Sequence, residues 1–113
     1  MTIVRDAIPL ADVVAMAKVQ FGDMVKVVVD IERGIMAVGG ELHSDEEALL
    51  LEDDSMQQHL WGINLFPEAR ADDWIEFDSM INIRPSQGNR SRGVEDAQVR
   101  EKIVEIVRRL VTR

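Results

Sequence analysis

A chain of 113 residues with 46% hydrophobic and 30% charged side chains is long enough for one domain and too hydrophobic for a disordered polymer. It has no cysteine, which excludes disulfides and thiolate metal sites. The net charge of −8 argues against binding of duplex nucleic acid, although residues 84–113 are locally positive, with eight Lys/Arg against four Asp/Glu.

Targeting signals and membrane spans have clear sequence patterns. The first residues lack a basic segment followed by a long apolar run, and no stretch approaches the ~18 apolar residues of a membrane span. We therefore expect a cytoplasmic protein with no membrane partner.

The first clear element is an amphipathic helix. Ile3 and Val4 precede it as either a short strand or an anchored terminus. Pro9 suits the first turn of the helix and Gly22 its C-terminal cap. Between them, apolar residues recur at intervals of three and four: Leu10, Val13, Val14, Ala17 and Phe21.

A β-hairpin is predicted next. Residues 24–31 are rich in valine, whose branched side chain favours a strand. Gly34 then provides the left-handed position of a tight turn, and residues 35–38 form the returning strand. Gly39 and Gly40 end or bulge that strand.

Residues 44–47 read Ser-Asp-Glu-Glu, a pattern typical of a capping box. It predicts a short helix from about residue 45 to 52, although three consecutive leucines there leave a strand as the alternative. Residues 60–66 predict another strand, with Trp61 on its core face, ended by Pro67.

Residues 74–84 alternate between apolar and polar side chains and predict one long, central strand, with a hairpin as the alternative. Trp74 falls on its polar face, as a lid, an interface anchor or a covered edge. The polar face also carries two carboxylates, an amide and a guanidinium: Glu76, Asp78, Asn82 and Arg84.

A final helix follows Gly93, with an apolar stripe and cations toward its C-terminal end. The stripe consists of Val99, Ile103, Ile106, Val107 and Leu110. The chain thus predicts a single α+β domain over residues 1–113. It has a mainly antiparallel sheet of four or five strands, and two longer helices and one short helix cover one of its faces.

The first candidate site is the loop between residues 84 and 93. Its side chains are rich in hydrogen-bond donors, and its glycines allow backbone amides to turn toward an anion at the start of the last helix. The candidate ligand-binding residues are Arg84, Gln87, Asn89, Arg90 and Arg92. The alternative is that these groups satisfy loop carbonyls or pair with neighbouring carboxylates.

The second candidate is a divalent-metal site at Glu41 and His43, joined by His59. The spacing is unspecific, helix capping explains the nearby carboxylates of Asp45, Glu46 and Glu47, and a loop hydrogen bond explains His43, so no metal is favoured. The third candidate is Glu76 with Asp78, as an acid and base pair or as part of a solvated face.

Four segments together resemble a family of small, uncharacterised prokaryotic proteins described as a domain of unknown function. They are GDMVKVVVDIE (22–32), GGELHSDEEALLLE (39–52), LWGINLFP (60–67) and IEFDSMINIRPSQGNRS (75–91). The resemblance covers nearly the whole chain. It implies a compact prokaryotic domain and no transferable activity, cofactor or catalytic residue.

Three functions are compatible with these patterns. The leading one is a non-enzymatic binding or regulatory module, without a cofactor, that holds a small anionic ligand or an acidic partner at the Arg84–Arg92 loop. The second is a metal-assisted hydrolase using His43, Glu41 and a carboxylate from Glu76 or Asp78. The third is a structural homodimer or partner-binding protein that uses the stripe of the last helix.

Overall fold

The computed structural model describes residues 1–113, and it contains three helices and seven strands. The helices are α1 (Leu10–Gln20), α2 (His43–Glu52) and α3 (Ala97–Leu110). The strands are β1 (Thr2–Val4), β2 (Ile8–Pro9), β3 (Val25–Asp30), β4 (Ile35–Val38), β5 (Leu60–Leu65), β6 (Ile75–Glu76) and β7 (Val111–Thr112). Single turns of 3₁₀ helix occur at Gln57–His59, Met80–Asn82 and Pro85–Gln87.

Five strands form one antiparallel sheet in the order β1-β4-β3-β5-β6. The β3–β5 pair sets Lys26 opposite Asn64, and Val28 opposite Gly62. Strands β2 and β7 make a separate parallel pair. The predicted α+β class with an antiparallel sheet is confirmed.

The sheet is covered on both faces, which corrects the prediction that helices lie on one face. Side chains alternate along β3, so Val27 enters the larger core and Val28 the smaller. Helices α1 and α3 supply the larger core, through residues such as Val13 and Ile103, whereas Leu50 of α2 packs into the smaller core on the opposite face. Strands with both faces buried read as continuous apolar runs, which hid this second layer in the sequence.

The elements with clear periodicity lie where they were predicted. Helix α1 follows Pro9, β3 and β4 form the hairpin, and Gly34 has a φ of 67° in its turn. Trp61 lies in the larger core, as predicted.

The prediction of a long central strand over residues 74–84 is wrong. Pairing with β5 stops after Glu76, and β6 is an edge strand. Residues 80–82 form a 3₁₀ turn over the edge of β5, where the Asn82 side chain accepts from the Gly62 amide at 2.8 Å and donates to the Gly62 carbonyl at 2.9 Å. A side-chain amide thus replaces the main-chain pairing that a strand would give.

The predicted faces of that stretch change accordingly. Trp74, expected on a polar face, is 2% exposed and belongs to the larger core, where the Arg113 guanidinium stacks 4.8 Å from its ring centre. Asn82 is completely buried.

The predicted capping box is also absent. Helix α2 begins at His43, with Leu42 at the N-cap position and no side-chain cap. Glu46, expected to cap the helix, is instead completely buried and accepts a hydrogen bond from the Gly40 amide at 3.0 Å. Tertiary burial has overridden a local capping pattern.

Candidate functional site

The predicted anion loop uses most of its donors within the chain. Arg84 stacks on Trp61 at 4.3 Å and donates to the carbonyls of Gln57 and Leu60. Gln87 donates to the Gln58 carbonyl at 3.1 Å. These two side chains fasten the loop to the segment that precedes β5.

Asn89 organises the rest of the loop. It is 3% exposed, and its Nδ2 reaches the carbonyls of Asn82, Ser91 and Gly93 while its Oδ1 accepts from the Glu95 amide. Both ends of this side-chain amide are therefore engaged within the chain.

The loop amides do bind an anion, and that anion belongs to the chain. The Glu95 carboxylate accepts from the amides of Arg90 and Ser91 at 2.7 and 2.9 Å. The hydrogen bonds from Ser91 and Arg90 lower the pKa of Glu95. An external anion at these two amides would have to displace Glu95.

The carboxylates of the third candidate site point to different partners. Glu76 accepts from the Asn64 side chain at 2.8 Å, and Asp78 forms an ion pair with Arg92 at 2.7 Å. Each carboxylate is thus bound to a donor, and no direct contact joins them as an acid and base pair.

The metal candidates are not gathered into a cluster, since no group of three or more His, Asp or Glu side chains could hold a metal ion. Glu41 lines a depression beside Met1, whereas His59 contacts Gln58. His43 turns inward toward β5.

The structure does bring several predicted residues together in a cleft at one end of the α2–sheet interface, with a volume of about 280 Å³. We call it the His43 cleft. Its polar lining residues are Lys26, His43, Ser44, Asn64, Asp78, Ser79 and Arg92. Its apolar lining residues are Leu42, Met80 and Ile81. Residues from all three candidate sites therefore line this cleft: Arg92 from the first, His43 from the second and Asp78 from the third.

His43 is held rigidly in this cleft. Its Nε2 lies 2.7 Å from the Ile63 carbonyl, and the side chain is buried. Burial lowers the pKa of His43, with the positive charge of Lys26 acting in the same direction. Because a carbonyl only accepts, the neutral ring carries its proton on Nε2 and presents Nδ1 as an acceptor.

Asn64 is the least satisfied polar group of the cleft. It is 6% exposed, and its Nδ2 donates to Glu76, which fixes the orientation of the amide. Its Oδ1 is buried and has no hydrogen-bond partner. A buried acceptor without a donor is costly, and a bound water, ion or ligand is one way in which native proteins satisfy such a group.

Positive charge enters the cleft from three elements. Lys26 comes from β3 and Arg92 from the loop, and Leu42, His43 and Ser44 at the N-terminus of α2 line the same cleft. The first two amides of an uncapped helix have no intrahelical acceptor and carry a partial positive charge, whereas the Asp45 amide already donates to the Leu42 carbonyl. Ion pairs join Arg5 and Arg33 to Asp53, and Arg92 to Asp78, so Lys26 is in none of them.

Four larger depressions lack such a group. The largest, of about 620 Å³, follows the outer side of α3, and the others have volumes of about 450, 440 and 370 Å³. No residue lining any of the four has a buried polar atom without a partner. The His43 cleft is therefore the stronger candidate.

Comparison with known proteins identifies the family. The model of the family described as "Protein of unknown function (DUF5674)" matches residues 2–110. The chain belongs to DUF5674. No curated protein and no solved structure matches the chain. The expected resemblance to a family of unknown function is confirmed.

A membrane-spanning helix is absent from this DUF5674 chain, because none of its helices has the length and hydropathy required.

Among the charged and amide side chains of the cleft, the sequence patterns missed Lys26 and Asn64. Both are polar residues inside otherwise apolar strands, which was the available signal. Their meaning depends on the pairing of β3 with β5, which places them side by side.

Proposed function

We propose that this DUF5674 protein is a non-enzymatic binding module that holds a small ligand with an anionic group in the His43 cleft. The observation that carries the proposal is the convergence of Lys26, Arg92 and an uncapped helix N-terminus around a concave, partly buried space. The expected anion site thus moves from the whole Arg84–Arg92 loop to its last arginine and to the α2–sheet interface.

Lys26 is the group with the most to gain from an anion. The residue is partly buried, and its ammonium lies 5.4 Å from the Phe21 ring centre and has no ion-pair partner in the chain. An ammonium without a carboxylate is stabilised when a ligand brings a negative charge close to it.

Arg92 has a different part in the proposal. Its ion pair with Asp78 is half exposed, with side-chain exposures of 56% and 42%. Exposed ion pairs contribute little to stability, so the guanidinium can exchange Asp78 for a ligand at small cost.

The rigid, neutral His43 supports binding rather than proton transfer. Its Nε2 is committed to Ile63, and its lowered pKa keeps the ring uncharged near neutral pH. In the cleft it serves as a wall with a fixed acceptor. We place this binding function in the cytoplasm, in keeping with the absence of cysteine.

A titration with inorganic phosphate, sulfate and acetate tests the proposal. At millimolar concentrations, we expect amide NMR shifts around Lys26, His43 and Arg92 in the wild type. Lys26→Met should weaken binding by about tenfold, which corresponds to ~1.4 kcal/mol. Lys18→Met makes the same charge change on the exposed side of α1 and should leave binding unchanged.

Two results would contradict the proposal. One is a wild-type protein whose cleft amides respond to none of the three anions at about 10 mM. The other is an equal loss of binding in the Lys26→Met and Lys18→Met variants, which would indicate a response to net charge rather than a site.

A further inference from the structure

We infer that the ligand of the His43 cleft carries a hydrogen-bond-donating amino group beside its anionic group, as an α-amino carboxylate does. The inference rests on the proposed function and specifies its ligand class. It follows from the acceptors of the cleft, which a simple anion without a hydrogen-bond donor, such as sulfate, cannot satisfy.

The cleft offers acceptors as well as cations. Asn64 Oδ1 is buried without a partner, and the orientation of the amide is fixed because Nδ2 donates to Glu76. His43 presents Nδ1, since Nε2 is bound to the Ile63 carbonyl. Asp78 adds a carboxylate at the rim. A ligand with donors is needed to use these groups.

The charges facing the cleft come from every element around it. Lys26 of β3 and Arg92 of the loop are positive, while Asp78 is negative and bound to Arg92. Glu76 of β6 is also negative and accepts a hydrogen bond from Asn64. A zwitterion matches such mixed charge better than a ligand of one sign, because each of its charged groups finds an opposite partner.

The remaining wall of the cleft is apolar. Leu42 and Met80 are 56% and 65% exposed at its rim, and Ile81 lies beside them. Such large apolar side chains bury more surface when an apolar ligand group packs against them. The volume of about 280 Å³ lies near the lower end of the range for small-molecule pockets, which suits a small ligand.

Leucine combines an amino group, a carboxylate and an apolar side chain. Two analogues test the contribution of each charged group separately. The probe 4-methylpentanoate lacks the amino group, and 3-methylbutylamine lacks the carboxylate. Followed by NMR shifts of the cleft amides, wild-type protein should bind leucine at least about tenfold more tightly than either analogue.

Asn64→Leu keeps a side chain of similar shape and removes the acceptor, together with the Nδ2 donor that binds Glu76. In this variant, leucine should lose its advantage over 4-methylpentanoate, whose own affinity should change little. The amide spectrum of the free variant shows whether it is folded, and the comparison of the three probes in the wild type does not depend on it.

The outcomes separate this inference from the proposed function. If 4-methylpentanoate or phosphate binds as tightly as leucine, the amino group is irrelevant and this inference is wrong, while the anion site stands. If 3-methylbutylamine equals leucine, or if no probe shifts the cleft amides, the proposed anion site fails as well.

Discussion

Glu46 lies in a sequence pattern typical of helix capping, yet helix α2 has no side-chain cap and Glu46 is part of the protein interior. Its side chain is completely buried between α2 and the sheet, with one oxygen accepting from Gly40 and the other without a partner. Burial raises its pKa to about 9, although the Gly40 hydrogen bond opposes this. A methyl group on Gly40 would lie 2.7 Å from Glu46 Cγ, so the glycine provides the space that the acid occupies.

The raised pKa predicts a pH-dependent stability. The ordinary pKa is 4.5, so between 4.5 and about 9 the folded chain keeps a proton that the unfolded chain releases. The free energy of unfolding therefore falls as the pH rises through this window. Glu46→Gln mimics the neutral acid and should stabilise the protein by about 1–3 kcal/mol at pH 8, with little effect near pH 4.

Urea unfolding at several pH values measures this difference. Asp45→Asn is the matched control, because it removes the same charge from an exposed position in the same turn. An equal change in both variants, or a Glu46→Gln difference that does not grow with pH, would show that Glu46 is charged in the folded protein.

At the scale of elements, the segment from Ser79 to Arg84 closes the exposed edge of β5 without forming a strand. Asn82 binds both main-chain groups of Gly62, and Arg84 binds the Leu60 carbonyl. Gly62 permits this close approach, since a methyl group there would lie 2.5 Å from Ser79 Cβ. Edge strands need such cover, because free main-chain groups pair with other chains.

Removing this cover should be costly. Asn82→Ala leaves the buried amide of Gly62 without an acceptor, and we expect a loss of about 2–4 kcal/mol in the free energy of unfolding. Gly62→Ala should destabilise the same contact by steric overlap. Met80→Ala, at an exposed position of the same turn, should change stability by at most about 0.5 kcal/mol.

Chemical denaturation of the three variants measures how much the contact between Asn82 and Gly62 contributes to the free energy of unfolding. Similar, small losses for Asn82→Ala and Met80→Ala would mean that water replaces the amide at the edge of β5. Increased aggregation of Asn82→Ala would instead agree with an uncovered edge.

The same segment marks the limit of what the sequence could predict. Helix α1, the β3–β4 hairpin and β5 follow from periodicity and turn residues, because local spacing determines which side they bury. The alternation of residues 74–84 has the same period, yet Asn82 is buried by pairing with Gly62, twenty positions away. The His43 cleft likewise depends on contacts distant in sequence, such as that of His43 with Ile63. Local patterns carry no information about these contacts.

For the whole molecule, the apolar stripe of α3 belongs to the interior of one chain. Ile103, Val107 and Leu110 are completely buried within the larger core, next to β3 and α1. A homodimer with this stripe as its seam is the third of the functions compatible with the sequence. In this fold the stripe is already covered by its own sheet, so a dimer would need another surface.

Leu110→Ala tests this assignment. The substitution leaves a cavity in the larger core, and we expect a loss of about 2–5 kcal/mol in the free energy of unfolding. Because the contacts lie within one chain, the loss should be the same at low and high protein concentration. Leu51→Ala makes the same change at a position that is 41% exposed and should cost much less.

A loss that grows with protein concentration, with a lighter species in sedimentation, would show instead that Leu110 contributes to an interface between copies. The burial of Leu110 against its own sheet favours the first result, since a side chain with no exposed surface has none to offer a partner.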